Sequence, residues 1–118
     1  KKKNADTLRR FKGLVRIFKK INVKMEEDGF YNNPNVSSFL LECLVWNCPN
    51  TVFVNYDTWT QRVKEAIIFL YNKTKDETDA CKEWGEVSDL LYLFHGGRKW
   101  SKQDANTHLL KMWNYMGY

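Results

Sequence analysis

The sequence predicts an all-α protein, a compact bundle of about five helices with little or no sheet. Three observations point to this class. Apolar residues recur at steps of three and four along most of the chain. Residues suited to capping stand where those stretches begin. Two prolines and six glycines in 118 residues favour long regular elements over loops. With 43% hydrophobic and 15% aromatic residues, the chain can fill a core and is not of disordered composition. Its length predicts one domain over residues 1–118.

The first helix is expected to start after Asn4 as N-cap, with Asp6 near its positive end. Leu8, Phe11, Leu14, Val15, Phe18, Ile21 and Met25 form its buried stripe, and Asp28-Gly29 ends it. Gly13 costs about 1 kcal/mol against alanine in a helix, which implies close packing or close approach of a ligand. A turn-rich link, 31–35, leads to a helix from about Val36 to Asn47. That helix is apolar nearly all round, so it should be the central one, and Pro49 helps to stop it. Residues 51–55 read as a short extended link. Asp57 is the expected cap of a helix through Asn72, with Trp59, Val63, Ala66, Ile67 and Leu70 inward. Residues 73–82 read as an exposed polar loop. Val87, Leu90, Leu91, Leu93 and Phe94 suggest a shorter helix ending near His95-Gly96-Gly97. Ser101 caps the last helix, with Asp104 completing a capping box. Ala105, Leu109, Met112, Trp113 and Met116 form its inner stripe.

Charge is divided unevenly. Residues 1–24 hold ten Lys or Arg against one acid, whereas the rest hold nine against thirteen. A basic first helix on an acidic body points to a phosphate-bearing partner at one face. Arg9, Lys12, Arg16 and Lys19 recur at steps of three and four and stack on one side of that helix. Arginine offers a planar fork to phosphate oxygens and lysine a compact charge. At a three-residue step, Arg16 and Lys19 are placed to grip one triphosphate tail, with Lys12 a turn away. Ser38 falls in the first turn of the next helix, where free N–H groups and the dipole favour phosphate. Phe39 beside it is a candidate for stacking on a base.

Other chemistry is poorly supported. The chain has no Ser-His-Asp order, phosphate loop, HExxH or Gly-rich dinucleotide loop. Glu26, Glu27 and Asp28 read as a solvated helix end. His95 reads as a turn residue and His108 as a surface or interface residue. Cys43, Cys48 and Cys81 lack metal-site spacing, and Cys43 reads as core, so no zinc is expected and a reducing compartment is. No apolar run has transmembrane length and no leader is visible, which makes the expected location cytoplasmic, away from membranes. A chain opening on Lys1 rather than Met is expected to be a piece of something longer.

Three stretches resemble a known family. They are Thr7-Leu8 with Leu14-Val15-Arg16-Ile17-Phe18-Lys19, the run Ser37-Ser38-Phe39-Leu40-Leu41-Glu42-Cys43-Leu44-Val45-Trp46-Asn47-Cys48-Pro49-Asn50, and Trp113-Asn114-Tyr115-Met116-Gly117-Tyr118. In this order they are similar to the C-terminal helical lobe of bacterial CD-NTases. These are the cyclic GMP-AMP synthase and oligoadenylate synthetase-like nucleotidyltransferases of anti-phage signalling. The resemblance implies the helical substrate-binding lobe of an enzyme whose N-terminal lobe carries a Gly-Ser turn and acidic residues for magnesium. Nucleoside triphosphates such as ATP would sit between the lobes. A ribose hydroxyl attacks an α-phosphate and pyrophosphate leaves, giving cyclic or linear oligonucleotides. By the same resemblance Arg16, Lys19 and Ser38 contact triphosphate, and Phe39 occupies the base-stacking position, often tyrosine in relatives. This chain has neither a Gly-Ser turn nor an Asp-x-Asp, so it should not catalyse alone. The implied partners are nucleoside triphosphates and the catalytic lobe, in cis or in trans. The alternative is a free-standing basic module that binds nucleic acid or a protein.

Overall fold

The computed structural model describes residues 2–118. It is helical, with α1 at Lys2–Asp6, α2 at Arg10–Glu27, α3 at Ser38–Trp46, α4 at Asn50–Val54, α5 at Trp59–Lys73 and α6 at Lys102–Tyr115. Among the described residues the extended pairing is one isolated bridge, Gly85 with Tyr92.

The expected first helix is two. Leu8 and Arg9 take left-handed backbone conformations, φ 58° and 65°, which cost side-chain-bearing residues about 1–2 kcal/mol each. Polar side chains around the break offset this. The Thr7 hydroxyl donates to Lys3 O at 2.8 Å and accepts from Phe11 N–H at 3.1 Å. Asn4 lies inside α1, so it is not the N-cap of a continuous helix. Its Oδ1 instead accepts from Lys12 N–H at 3.2 Å, capping α2 from a distance. The break turns Leu8 out to 65% exposure, so it leaves the stripe. It also sends the Lys3 ammonium to Cys48 O at 2.7 Å and Asn50 Oδ1 at 2.9 Å, tying the end of α3 to the start of α4.

Helix α2 is the hub. Phe11, Leu14, Val15, Phe18, Ile21 and Met25 are buried, and the helix packs against each of the other five. Each such side chain contributes about 1.5–3 kcal/mol by burial. Helix α3 is apolar all round, as expected, but it is not the centre. It lies between α2 and the irregular segment 84–100, to which Asn47 Nδ2 donates at Gly85 O, 2.8 Å. Residues 50–54 form helix α4, not an extended link. Pro49 sits at its N-cap, and one turn buries the adjacent Val52 and Phe53.

Thr58, one residue after the expected Asp57, caps α5 and accepts from Gln61 N–H at 3.2 Å. Val63, Ala66, Ile67 and Leu70 are inward. Trp59 is largely exposed and lies across Gly13 of α2. The helix expected around 87–94 does not form. Leu93 is buried, while Leu90 is 83% exposed and Leu91 also faces out, so no single helical face is satisfied. Helix α6 has the expected capping box of Ser101 and Asp104. Ala105, Leu109 and Met112 are buried, while Met116 is exposed at the C-cap.

Helices α2 and α6 stop in the same way. Gly29 and Gly117 adopt φ 66° and 76°. The next residue donates back to the third-last helical carbonyl in each case, Phe30 to Met25 at 2.9 Å and Tyr118 to Trp113 at 3.2 Å. No described helix is long and apolar enough to cross a membrane.

Candidate functional site

At 100° per residue, Lys12, Arg16 and Lys19 fall within about 60° of one another on α2. Lys12 and Arg16 are exposed and Lys19 is half-buried. None has an ion pair or side-chain hydrogen bond among the described residues, nor does Lys20. Arg9 leaves this face because it sits in the break before α2. Other cations have structural work. Arg10 donates to Phe53 O at 3.0 Å, and the buried Arg62 donates to Tyr56 O at 3.0 Å. Lys24 approaches Glu27 at 4.0 Å. Arg16 and Lys20 also line an open depression of about 430 Å³ between α2 and the end of α6, floored by Ile17, Ile21 and Met116.

The Trp46 ring at the end of α3 meets Phe11 near the start of α2, centroids 5.8 Å apart. The end of α3 therefore lies by the start of α2, and the other end of α3 is formed by Ser37 and Ser38. The two serines divide the work there. Ser37 is the cap, its Oγ accepting from Leu40 N–H at 3.1 Å, while Ser38 is the first helical residue and is exposed. Among the described residues the N–H groups of Ser38 and Phe39 have no acceptor. Phe39 is 41% exposed, so it is not core. It packs against Trp100 with centroids 6.2 Å apart and planes at 48°. Sequence reasoning missed Trp100, which lies outside any periodic stripe. Its Nε1–H donates to Leu93 O at 2.9 Å. The Arg98 guanidinium lies 5.4 Å from its ring centroid and pairs with the buried Glu86.

Groups that transfer protons or attack are poorly placed. Burial raises the thiol pKa of Cys43 to about 11 and of Cys48 to about 12, so both stay protonated and unreactive. His108 is fully buried, not a surface residue, because it shares the inward face of α6 with Ala105, Leu109 and Met112. Burial lowers its pKa to about 4. His95 is exposed in a turn, its ring stacked on Tyr92 at 4.3 Å. Glu26, Glu27 and Asp28 are exposed at the end of α2, and Asp28 accepts from the Tyr115 hydroxyl. Among the described residues no three His, Cys, Asp or Glu side chains converge. The donor set for a magnesium ion is thus not met by these residues.

The chain is thus an α-helical domain whose hub helix α2 carries an unpaired cation face and whose α3 opens with free N–H groups, among the described residues. The sequence places it further. The model of the cGAS/DncV-like nucleotidyltransferase C-terminal helical domain matches residues 1–117, and the chain belongs to that family. It is 55% identical to the cyclic dipyrimidine nucleotide synthase CdnE of Cecembia lonarensis over 98% of this chain and 39% of that protein. It is 37% identical to the cyclic dipurine nucleotide synthase of Elizabethkingia meningoseptica, over 98% of this chain and 38% of that protein. The chain thus spans about two fifths of the length of these relatives. Its fold is similar to the solved structure of Elizabethkingia meningoseptica CdnE cyclic dinucleotide synthase with GTP and Apcpp. The TM-score is 0.88 at 36% identity, over 99% of this chain and 41% of that one.

Proposed function

We propose that this domain is the substrate-gripping lobe of a nucleotidyltransferase that joins nucleoside triphosphates into cyclic oligonucleotide signals in anti-phage defence. The carrying observation is the cation face of α2. Lys12, Arg16 and Lys19 stay together and unpaired, while Lys3, Arg10, Arg62 and Arg98 are engaged by carbonyls or a carboxylate. A relative with the same fold was solved with GTP and Apcpp, which supports a triphosphate as the anion.

Arg16 and Lys19 take the donor triphosphate, Lys12 adds charge along the same face, and the first turn of α3 at Ser38 supplies N–H donors and a hydroxyl. Phe39 stacks on the base. The chemistry belongs to the partner lobe, with its Gly-Ser turn and acidic residues. Magnesium bound there would polarise the α-phosphate and neutralise the leaving pyrophosphate. The residues of this lobe bind and orient and make no covalent step. The expected location is the cytoplasm, where the triphosphates are.

The test is Arg16→Ala with Lys19→Ala in the synthase that carries this domain. Each lost charge-assisted contact is worth about 1.5–3 kcal/mol, so the double variant should bind its nucleotide at least about a hundredfold more weakly. Its melting temperature should not change. Unchanged affinity in a folded double variant would remove the triphosphate assignment.

A further inference from the structure

The segment between α5 and α6 has no regular structure to hold a side chain still. Apart from turns, its backbone is paired among the described residues at the isolated bridge of Gly85 and Tyr92, flanked by Glu86 N–H to Leu91 O and Leu93 N–H to Trp84 O, and the tip at Leu90 stands in solvent. Yet it contains a buried ion pair. Glu86 is 6% exposed, bonded by Arg98 on one oxygen and by the Ser88 hydroxyl on the other at 3.2 Å. Arg98 also donates to Tyr92 O at 3.2 Å. A buried ion pair is a poor source of stability, because desolvating both charges cancels most of their attraction. What it supplies is fixed geometry, and here that geometry ends on an aromatic ring. Arg98 lies over Trp100, Trp100 is pinned at Nε1 to Leu93 O, and Trp100 meets Phe39.

We infer that Glu86, Arg98 and Trp100 form a brace that sets the plane of the Phe39 ring, so that preference among nucleobases is decided partly in this segment. The inference rests on the nucleotide reading given above. Phe39 sits in the first turn of α3 with much of its surface in solvent. An exposed ring there would sample several rotamers and pay to stop on binding. Contact with Trp100 removes that freedom before the ligand arrives, which is preorganisation. The two planes meet at 48°, an open corner rather than a stack. A base lying on Phe39 would present an edge toward Trp100, and purines and pyrimidines differ in how far that edge reaches. Trp100 is thus a positioning residue in this reading, and the ligand class is the base of a nucleoside triphosphate.

The experiment compares Trp100→Ala, Trp100→Phe and Arg98→Lys in the synthase that carries this domain. Steady-state kinetics are run against each of the common ribonucleoside triphosphates. An aromatic pair contact is worth a factor of about three to ten, so Trp100→Ala should raise KM by that much with kcat nearly unchanged. It should also shift the order of preference among bases. Trp100→Phe, which keeps a ring against Phe39, should restore most of both. Arg98→Lys keeps the charge on Glu86 but loses the planar stack, and should show a smaller shift of the same sign. It carries the test if Trp100→Ala does not fold. Unchanged KM and preference overturn the inference. An equal loss for every nucleotide that Trp100→Phe fails to restore also overturns it, since that is a purely structural role. The Arg16→Ala, Lys19→Ala double variant separates the two readings. If it loses affinity while the Trp100 and Arg98 variants are silent, only the brace falls. If it too is silent, the nucleotide reading falls with it.

Discussion

Both ring nitrogens of His108 are buried with no hydrogen-bond partner among the described residues. The Tyr31 ring sits 5.7 Å away. Desolvation lowers the histidine's pKa from 6.5 to about 4. The unfolded chain therefore takes up a proton below about pH 6.5 that the folded protein refuses. The stability involved is complete above that pH and drains away as acid is added, until the folded pKa is reached. By about pH 5 the loss from this one group is about 2 kcal/mol. A His108→Leu variant should lack that drain. Urea unfolding at neutral pH and near pH 5 should show the variant gaining on the native protein in acid. A difference between the two proteins that is the same at both pH values would contradict the assignment. The sequence reading made this mid-helix residue a surface or interface residue. Its position, three residues after Ala105 and four before Met112, already placed it on the inner stripe.

At the scale of elements, the contact of α2 with α5 is set by what α2 lacks. A Cβ on Gly13 would stand 2.5 Å from Cη2 of Trp59 and 3.0 Å from Cζ2. The other neighbour of that indole is Arg62, its guanidinium 4.6 Å from the ring centroid. Gly13→Ala should therefore destabilise the domain by about 1–2 kcal/mol through forced displacement of the ring, despite alanine's better helix propensity. In a Trp59→Ala background the sign should reverse, because only the propensity gain of about 1 kcal/mol is left. Denaturant titration of the four proteins completes the cycle, and additivity would show that the glycine is not there for the indole.

What was legible in the sequence follows from the same physics. Helices α2, α5 and α6 each bury several turns, so the three-and-four spacing marks them, and α3 shows as a nearly unbroken apolar run. The Ser101 and Asp104 box and Asp28-Gly29 are local chemistry and were readable. The α1–α2 break was not, because Leu8 fits the stripe, and the bonds of Lys3, Asn4 and Thr7 that favour the bend leave no periodic signal. Helix α4 is one turn of β-prone residues, too short for a period. Segment 84–100 is held by Glu86, Arg98 and Trp100, long-range side-chain pairs that leave no pattern along the chain. Of the candidate residues, the cations on α2 were visible because helical spacing groups them, and Ser38-Phe39 because they open the next helix. Trp100 was not, because it reaches Phe39 only through tertiary contact.

Over the whole molecule, the formal charge of +5 conceals two populations of cations. Lys3, Arg10, Arg62 and Arg98 are fixed by protein oxygens at short range. Lys12, Arg16 and Lys20 are exposed, Lys19 is half-buried, and none of the four has a side-chain partner among the described residues. Electrolyte weakens attraction between exposed charges and leaves a short, partly buried contact nearly untouched. Nucleotide binding should therefore weaken from low to high sodium chloride in proportion to the second population alone. Arg16→Ala should flatten that dependence with little change in melting temperature. Arg10→Ala, at the other extreme, should lower the melting temperature and leave the slope as it was. An equal flattening by both would mean that the field of the whole domain, not one face of α2, draws the ligand in. The helix that organises the core is thus also its electrode. Its exposed cations Lys12, Arg16 and Lys20 are screened by salt, whereas Arg10, held at Phe53 O, is nearly insensitive to it.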